Sequence, residues 1–500
     1  MANASTTDVL ICGAGPAGLV LATDLARRGV RFRLIDKAST PFIGSRGKGI
    51  QPRTLEVFED LGIVDRIAAA GGCYPTQRVY QPDGTYADEP MPAVKARPSE
   101  PYSFPLMTMQ GRTEGALRER LAELGHHAAH GHALVRFTHD AEGVTASIAG
   151  ADGEETIRAR YLIGADGGRS VVRHVLATGF PGKTLGTRAL VADLDLSGLD
   201  RAIWHRFNEG DMSRQMGLCP LAKSDLFQMQ APIPLEGEAD LSVAGLQAFI
   251  TARVPAGFTI VVQNVLWASP YVMNARLADS YRTGRVFLVG DAAHIHPPTG
   301  AQGLNTSVQD AYNLGWKLAA VLAGAPDALL DTYEAERRPI AAAMLGLSTG
   351  LLEAAKRGDM RRGRDVQQLD LAYPTSSLAF EAPERHGGVL AGDRAPDAPL
   401  TGAGGQQVRL FDLLNGPHWT LLGYEADQTI QAPRRGLRIH AIGSHGDLID
   451  THSHFRDAYG LAQGDWVLVR PDGYIGAVVS AEHADALDDY LRRVGLGGEA

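Results

Sequence analysis

The chain has 500 residues, 44% hydrophobic and 21% charged, which excludes global disorder and suits roughly two to four packed domains. Lys and Arg total 48 against 57 Asp and Glu, a net charge of −9, so nucleic acid is not an expected partner. Three cysteines without paired spacing, Cys12, Cys73 and Cys219, exclude a disulfide scaffold and a thiolate zinc site.

Residues 1–8 have no secretory character, and the longest apolar stretch, 9–22, is too short and glycine-broken to span a bilayer. No membrane partner is expected, and a cytoplasmic location is. Residues 8–12 are apolar and β-branched, which predicts a buried parallel strand. Residues 16–28 predict a helix closed by Gly29, and 31–36 a second strand ending at Asp36. These three make one βαβ unit. Residues 55–70 and 110–124 each predict one helix, and the Pro/Gly-rich 72–105 predicts loops or short strands outside the sheet. Strands follow at 144–148 and 156–163. Between 180 and 275, short alternating pieces (188–195, 202–207, 226–231, 258–268) predict an inserted antiparallel sheet. A strand at 285–290 leads into a Pro/Gly-rich loop, then a helix at 305–323 capped by Asn305 or Thr306, then a helix at 329–356. The Pro/Gly content of 383–407 predicts a linker. Beyond it, strands at 418–424 and 438–443, a hairpin around Pro471-Asp472-Gly473 and a helix at 483–494 form a further α/β unit.

Gly13-Ala14-Gly15-Pro16-Ala17-Gly18 lies between the first strand and its helix. Gly13 suits the tight turn, Gly15 the approach of a pyrophosphate, and Gly18 close helix packing, with Asp36 positioned to accept ribose hydroxyls. Gly290-Asp291 and the loop through Pro298, Gly300, Gly303, Leu304 and Asn305 suit a flavin. Asp291 can accept from a ribityl chain, the glycines let backbone lie against a flat ring, and the following helix aims its positive end at the ring. The competing reading is a surface loop. His126, His127, His130 and His132 are expected at a polar helix end without a carboxylate framework, and no metal is expected. His294 and His296 are read as packing or hydrogen-bonding residues.

Gly13–Gly18 with Asp36, Gly164-Ala165-Asp166-Gly167, and Gly290-Asp291 together resemble the three fingerprints of class A flavoprotein monooxygenases, the para-hydroxybenzoate hydroxylase-like family. The stretch 290–318 is most similar to phenol-type and polyketide-tailoring hydroxylases. The resemblance implies an α/β fold: a Rossmann-like FAD-binding domain at 1–179 and 276–385, an inserted antiparallel substrate sheet at 180–275 joined by 72–105, and a thioredoxin-like domain at 390–500. It implies bound FAD, NAD(P)H as co-substrate, and hydroxylation of a phenolic or polyketide-type aromatic by O2 through a flavin C4a-hydroperoxide. Alternatives are a reductase or halogenase of the same fold, or an FAD-binding protein without oxygenase activity. Arg46, Gln110 and Asp166 match FAD-contacting positions of the family, and Arg112 stands near enough to reach the pyrophosphate. Pro298, Lys48 and Arg206 are the candidate catalytic residues, the last two as cations for a phenolate. No cysteine follows Cys219, so the C-terminal domain has no thiol redox role, and packing or a homodimer contact is expected of it.

Overall fold

The computed structural model describes residues 5–90, 95, 97–211, 213–357, 362–427, 433–444 and 446–497. Residues 1–4 of the amino-terminal stretch, and 91–94 and 96 of the Pro/Gly-rich region, lie outside the described residues. Val9, Leu10, Ile11 and Cys12 are all buried because the strand Ser5–Cys12 is covered on both edges. It pairs in parallel with Phe32–Asp36 on one side and Gly153–Gly164 on the other, and Val286–Leu288 extends the sheet in parallel beyond. A sheet with both faces packed needs continuous apolar runs, which is what these strands carry.

The second sheet has eight strands, with Gly182–Ser197 and Val261–Leu277 as its long antiparallel pair. Thr76–Tyr80 and Tyr86–Glu89 join its edge, Thr76–Tyr80 running parallel to Ile203–Phe207. These are short strands outside the first sheet, within the 72–105 region read as loops or short strands. One face of this sheet packs Leu190, Ala192 and Leu194 against Leu246 and Ile250 of the helix Val243–Thr251. The other face is turned to the first domain. The third sheet, also of eight strands, includes Phe380–Ala382, Pro399–Gly402, Trp419–Tyr424 and the hairpin Trp466–Val469/Ile475–Val479.

Four expectations are corrected. The single helix at 55–70 is two, Pro52–Asp60 and Val64–Ala70, because Gly62 takes a φ of 75° between them. The helix expected at 305–323 is Gln302–Leu322 and starts at Ala301 without a side-chain cap, so neither Asn305 nor Thr306 caps it. Residues 383–407 are not an extended linker. Ala395, Asp397 and Ala398 are buried, and Arg394 bonds Glu56 of the first domain at 3.0 Å. The four histidines do not sit on a helix end. The helix stops at Glu123, His126 packs on the Phe32 ring, and His130 lies in the short strand Ala129–His130 beside Asp36. Among the described residues no group of His, Cys, Asp and Glu could hold a metal.

Candidate active site

A cleft of about 1240 Å³ opens between the first sheet and the free face of the second. That exceeds the roughly 300–1,000 Å³ of an ordinary small-molecule pocket, and its two walls differ in chemistry. On the first wall, Gly13 has a φ of 110°, and a Cβ there would strike the Ala165 carbonyl oxygen at 2.2 Å. A Cβ on Gly18 would lie 1.8 Å from the Gly13 carbonyl oxygen, so the helix Pro16–Arg27 can approach the turn only with glycine there. Gly15 meets nothing within 4 Å and faces the cleft. The helix has no side-chain cap, which leaves its first amides to a ligand. Asp36 lines the same wall, accepting from the Ala14 and Ala38 amides at 2.7 and 2.8 Å with lone pairs to spare.

The loop from Asp291 to Leu304 forms the floor, and Asp291, Pro298, Gly300, Gly303 and Leu304 all line it. Asp291 is reachable by solvent but surrounded by protein. Poor solvation there raises its carboxyl pKa, while His294 and Arg46 pull it back. The 21-residue helix Gln302–Leu322 starts from this floor with its positive end in the cleft. Behind it, the buried Asp310 accepts from His294 Nε2 at 2.5 Å and from Arg337 Nε at 2.8 Å. Burial alone would raise the Asp310 pKa, but His294 and Arg337 beside it hold it below the usual carboxylate range.

Arg46 reaches the cleft and lies over the rings of Phe42 and Trp267. Gln110 accepts from the Gly47 amide at 3.1 Å and donates to Glu114, whose carboxyl burial pushes up to about 7. Lys48 is buried in the cleft wall with its Nζ 4.5 Å from the centre of the Trp204 ring and without a hydrogen-bond partner. Its charge reaches the Asp193 carboxylate, but that group already accepts from the Ser45 amide and hydroxyl. Arg206 also lines the cleft and is nine-tenths or more buried, yet it is answered. Glu209 pairs with it at 2.5 Å and Gln77 Oε1 accepts from it at 2.8 Å.

Three predicted contacts lie elsewhere. Arg112 points away from the cleft, donating to the carbonyls of Ala70, Ala222 and Lys223. Asp166 is not on the wall; its Oδ2 accepts from the Val171 and Val172 amides, while its neighbours Ala165 and Gly167 do face the cleft. Asn305 is buried one turn into its helix and ties the Gln51 amide to the Gly49 carbonyl. The second wall carries residues that motif reading passed over: Tyr74, Thr187, Trp204, Gln230, Tyr271 and Met273. The signal for them is period two, since Thr187 and Ala189, Trp204 and Arg206, and Tyr271 and Met273 project from one sheet face.

The residues present fit FAD. A diphosphate suits the uncapped helix start beside Gly15, a ribose suits Asp36, a ribityl chain suits Asp291, and a flat ring suits the 298–303 backbone. Residues 6–348 match the family described as FAD binding domain, and residues 389–496 match that of the aromatic-ring hydroxylase C-terminal domain. The chain is 40% identical over 493 residues, 97% of it and 99% of the relative, to a flavin-dependent monooxygenase of Mycobacteroides abscessus. It is 34% identical over 528 residues, covering 97% of this chain and 98% of the relative, to the 12-dehydrotetracycline 5-monooxygenase/anhydrotetracycline 6-monooxygenase of Streptomyces rimosus. The structure of aklavinone-11 hydroxylase with FAD and aklavinone superposes with a TM-score of 0.83, covering 98% of this chain and 99% of that one at 28% identity.

Proposed function

The chain belongs to the FAD-binding-domain family and also carries an aromatic-ring hydroxylase C-terminal domain, and from that premise we propose that it hydroxylates a fused-ring phenol of the tetracycline or aklavinone kind. It is an FAD-dependent aromatic monooxygenase. No described helix is long and apolar enough to cross a membrane. In this reading NAD(P)H and O2 are the co-substrates, and bound FAD supplies hydride acceptance and transfer of one oxygen atom to the ring.

The observation that carries the proposal is the unbonded Lys48 ammonium in a wall shared with Trp204, Tyr74 and Tyr271. A buried cation without a partner is costly unless a ligand brings the countercharge. A phenolate does, and the ionised ring is the more electron-rich one. Lys48 then holds the phenolate oxygen and keeps it deprotonated. Arg206, neutralised by Glu209, shapes the wall and orients polar groups of the substrate by hydrogen bonds. Trp204 and Tyr271 offer aromatic surface to the fused rings. Asp36, Gly15, Asp291 and the Gly300–Gly303 backbone hold the cofactor, and Pro298 fixes the turn of the floor between them.

The test is NADH or NADPH consumption by the holoenzyme against a panel of single-ring and fused-ring phenols, with product mass measured. Stimulation by fused-ring phenols with a gain of one oxygen atom is the expected result. Nicotinamide oxidation that no phenol stimulates would return the chain to the non-oxygenating alternatives.

A further inference from the structure

The C-terminal domain reaches the flavin floor through charges that never meet water. Arg470, on the Trp466–Val469/Ile475–Val479 hairpin, is buried, as are Asp472, Glu336 and Lys317. Its Nη1 and Nη2 donate to the two carboxylate oxygens of Glu336 at 2.7 and 2.9 Å, and its Nε donates to Asp472 at 3.0 Å. Glu336 also accepts from Lys317 Nζ at 2.7 Å and from Asn313 Nδ2 at 2.8 Å, both on the Gln302–Leu322 helix. Asp472 accepts from Trp316 Nε1 of that helix at 3.0 Å.

The next residue along the Asp331–Lys356 helix, Arg337, turns the other way. It donates to Asp310 at 2.8 Å and to the Tyr373 hydroxyl at 2.9 Å. Asp310 in turn accepts from the Gly290 amide at 3.3 Å and from His294, whose ring stacks on His296 at 4.8 Å. Glu336 and Arg337 are thus two consecutive buried residues, one held by the C-terminal domain and one holding the floor that carries Asp291.

We propose that the C-terminal domain is a positioning element of the flavin site, with Arg470 acting through Glu336, Arg337 and Asp310 on the loop Gly290 to His296. The inference rests on the placement of the flavin against that loop. Coupling between distant sites is carried by contiguous hydrogen-bond and ion-pair networks, and each carboxylate in this one is satisfied. One other charge at the same domain boundary, Arg409, lacks the link. Arg409 bonds Glu59 and Asp397 and touches neither long helix.

The experiment compares full-length wild type, Arg470→Met, Arg470→Lys and Arg409→Met. FAD dissociation constants come from fluorescence titration of the apoproteins, flavin environment from visible circular dichroism, and folding from far-ultraviolet circular dichroism. Arg470→Met is expected to weaken FAD roughly tenfold and alter the flavin signal. Arg470→Lys is expected to restore most of both, and Arg409→Met to stay within about twofold of wild type. Should Arg470→Met fail to fold, Glu336→Gln reads the same link and is expected to weaken FAD about threefold or more. The proposal is overturned if folded Arg470→Met, or Glu336→Gln in its place, keeps wild-type FAD affinity and flavin signal, or if Arg409→Met disturbs both equally. Wild-type apoprotein that takes up no FAD would instead remove the flavin placement itself.

Discussion

Replacing Lys48 by Met separates the two things its ammonium does. Met keeps most of the side chain's volume but is one atom shorter, and it loses both the charge and the Nζ contact with the Trp204 ring. A hydrogen bond to a charged group contributes about 1.5–3 kcal/mol, so losing it from a bound phenolate should lower kcat/KM roughly 10- to 150-fold. The defect should shrink as pH rises, or as the substrate is made more acidic, because the ring then ionises without help. The free protein should respond little. Its Nζ has no hydrogen-bond partner in the wall, but its charge favours the buried Asp193 carboxylate, so Lys48→Met relieves one buried charge while removing the countercharge of another, and Tm should stay near wild type. The assays are stopped-flow oxidation of the substrate-bound enzyme between about pH 6 and 9, FAD titration, and calorimetry. A variant with wild-type kcat/KM throughout that range, or with FAD affinity lost in parallel with rate, would refute the assignment.

The two motif glycines should part company. Gly18→Ala places a methyl 1.8 Å from the Gly13 carbonyl oxygen and should abolish soluble expression, whereas Gly15→Ala meets no protein atom and should keep Tm while losing FAD. Arg206→Met strands Glu209 in a mostly buried pocket and should cost about 3–5 kcal/mol in chemical denaturation, with Arg206→Met/Glu209→Gln recovering most of it; equal stabilities would show that the pair is solvated. Burial, aided by His294, pushes the His296 imidazole down to about 3. For this base the unfolded chain binds the extra proton, so its stability contribution is complete above about pH 6.5 and is lost as pH falls toward 3, roughly 2 kcal/mol by pH 5. Apoprotein carrying His296→Gln should show a correspondingly flatter denaturation profile between pH 7 and 5, and an unchanged slope would show that His296 is exposed to water.

What could be read in advance was what the backbone dictates locally. Gly13, Gly15 and Gly18 announce a turn, an open approach and a close packing at fixed offsets, and the structure has all three in that order. Asp36 ends its strand and Asp291 stands in the turn just beyond Val286–Leu288, both on the cleft side. Arg112 was beyond such reasoning. Its direction is set by the carbonyls of Ala222 and Lys223, which a distant strand pair delivers. Alternation in the second sheet separates two faces but does not say which one meets the flavin, so Trp204, Gln230 and Tyr271 carried no label. Asn305 has the composition of a cap, but the left-handed Ala301 starts the helix three residues earlier and leaves the amide to bind the 49–51 backbone. Pro and Gly at 383–407 mark irregular backbone, which is a different property from exposure.

The order of strands in the first sheet sets a timetable for synthesis. Gly153–Gly164 finds Ser5–Cys12 early, but its other neighbour, Val286–Leu288, emerges only after all the long strands of the substrate sheet have been made. At about 5–20 residues per second, the wait between residues 164 and 288 lasts roughly 6–25 s. For that interval the nascent chain presents an apolar strand edge, Tyr161 to Ile163, that in the finished protein is wholly covered. An apolar edge left open that long is exposed to pairing with other chains.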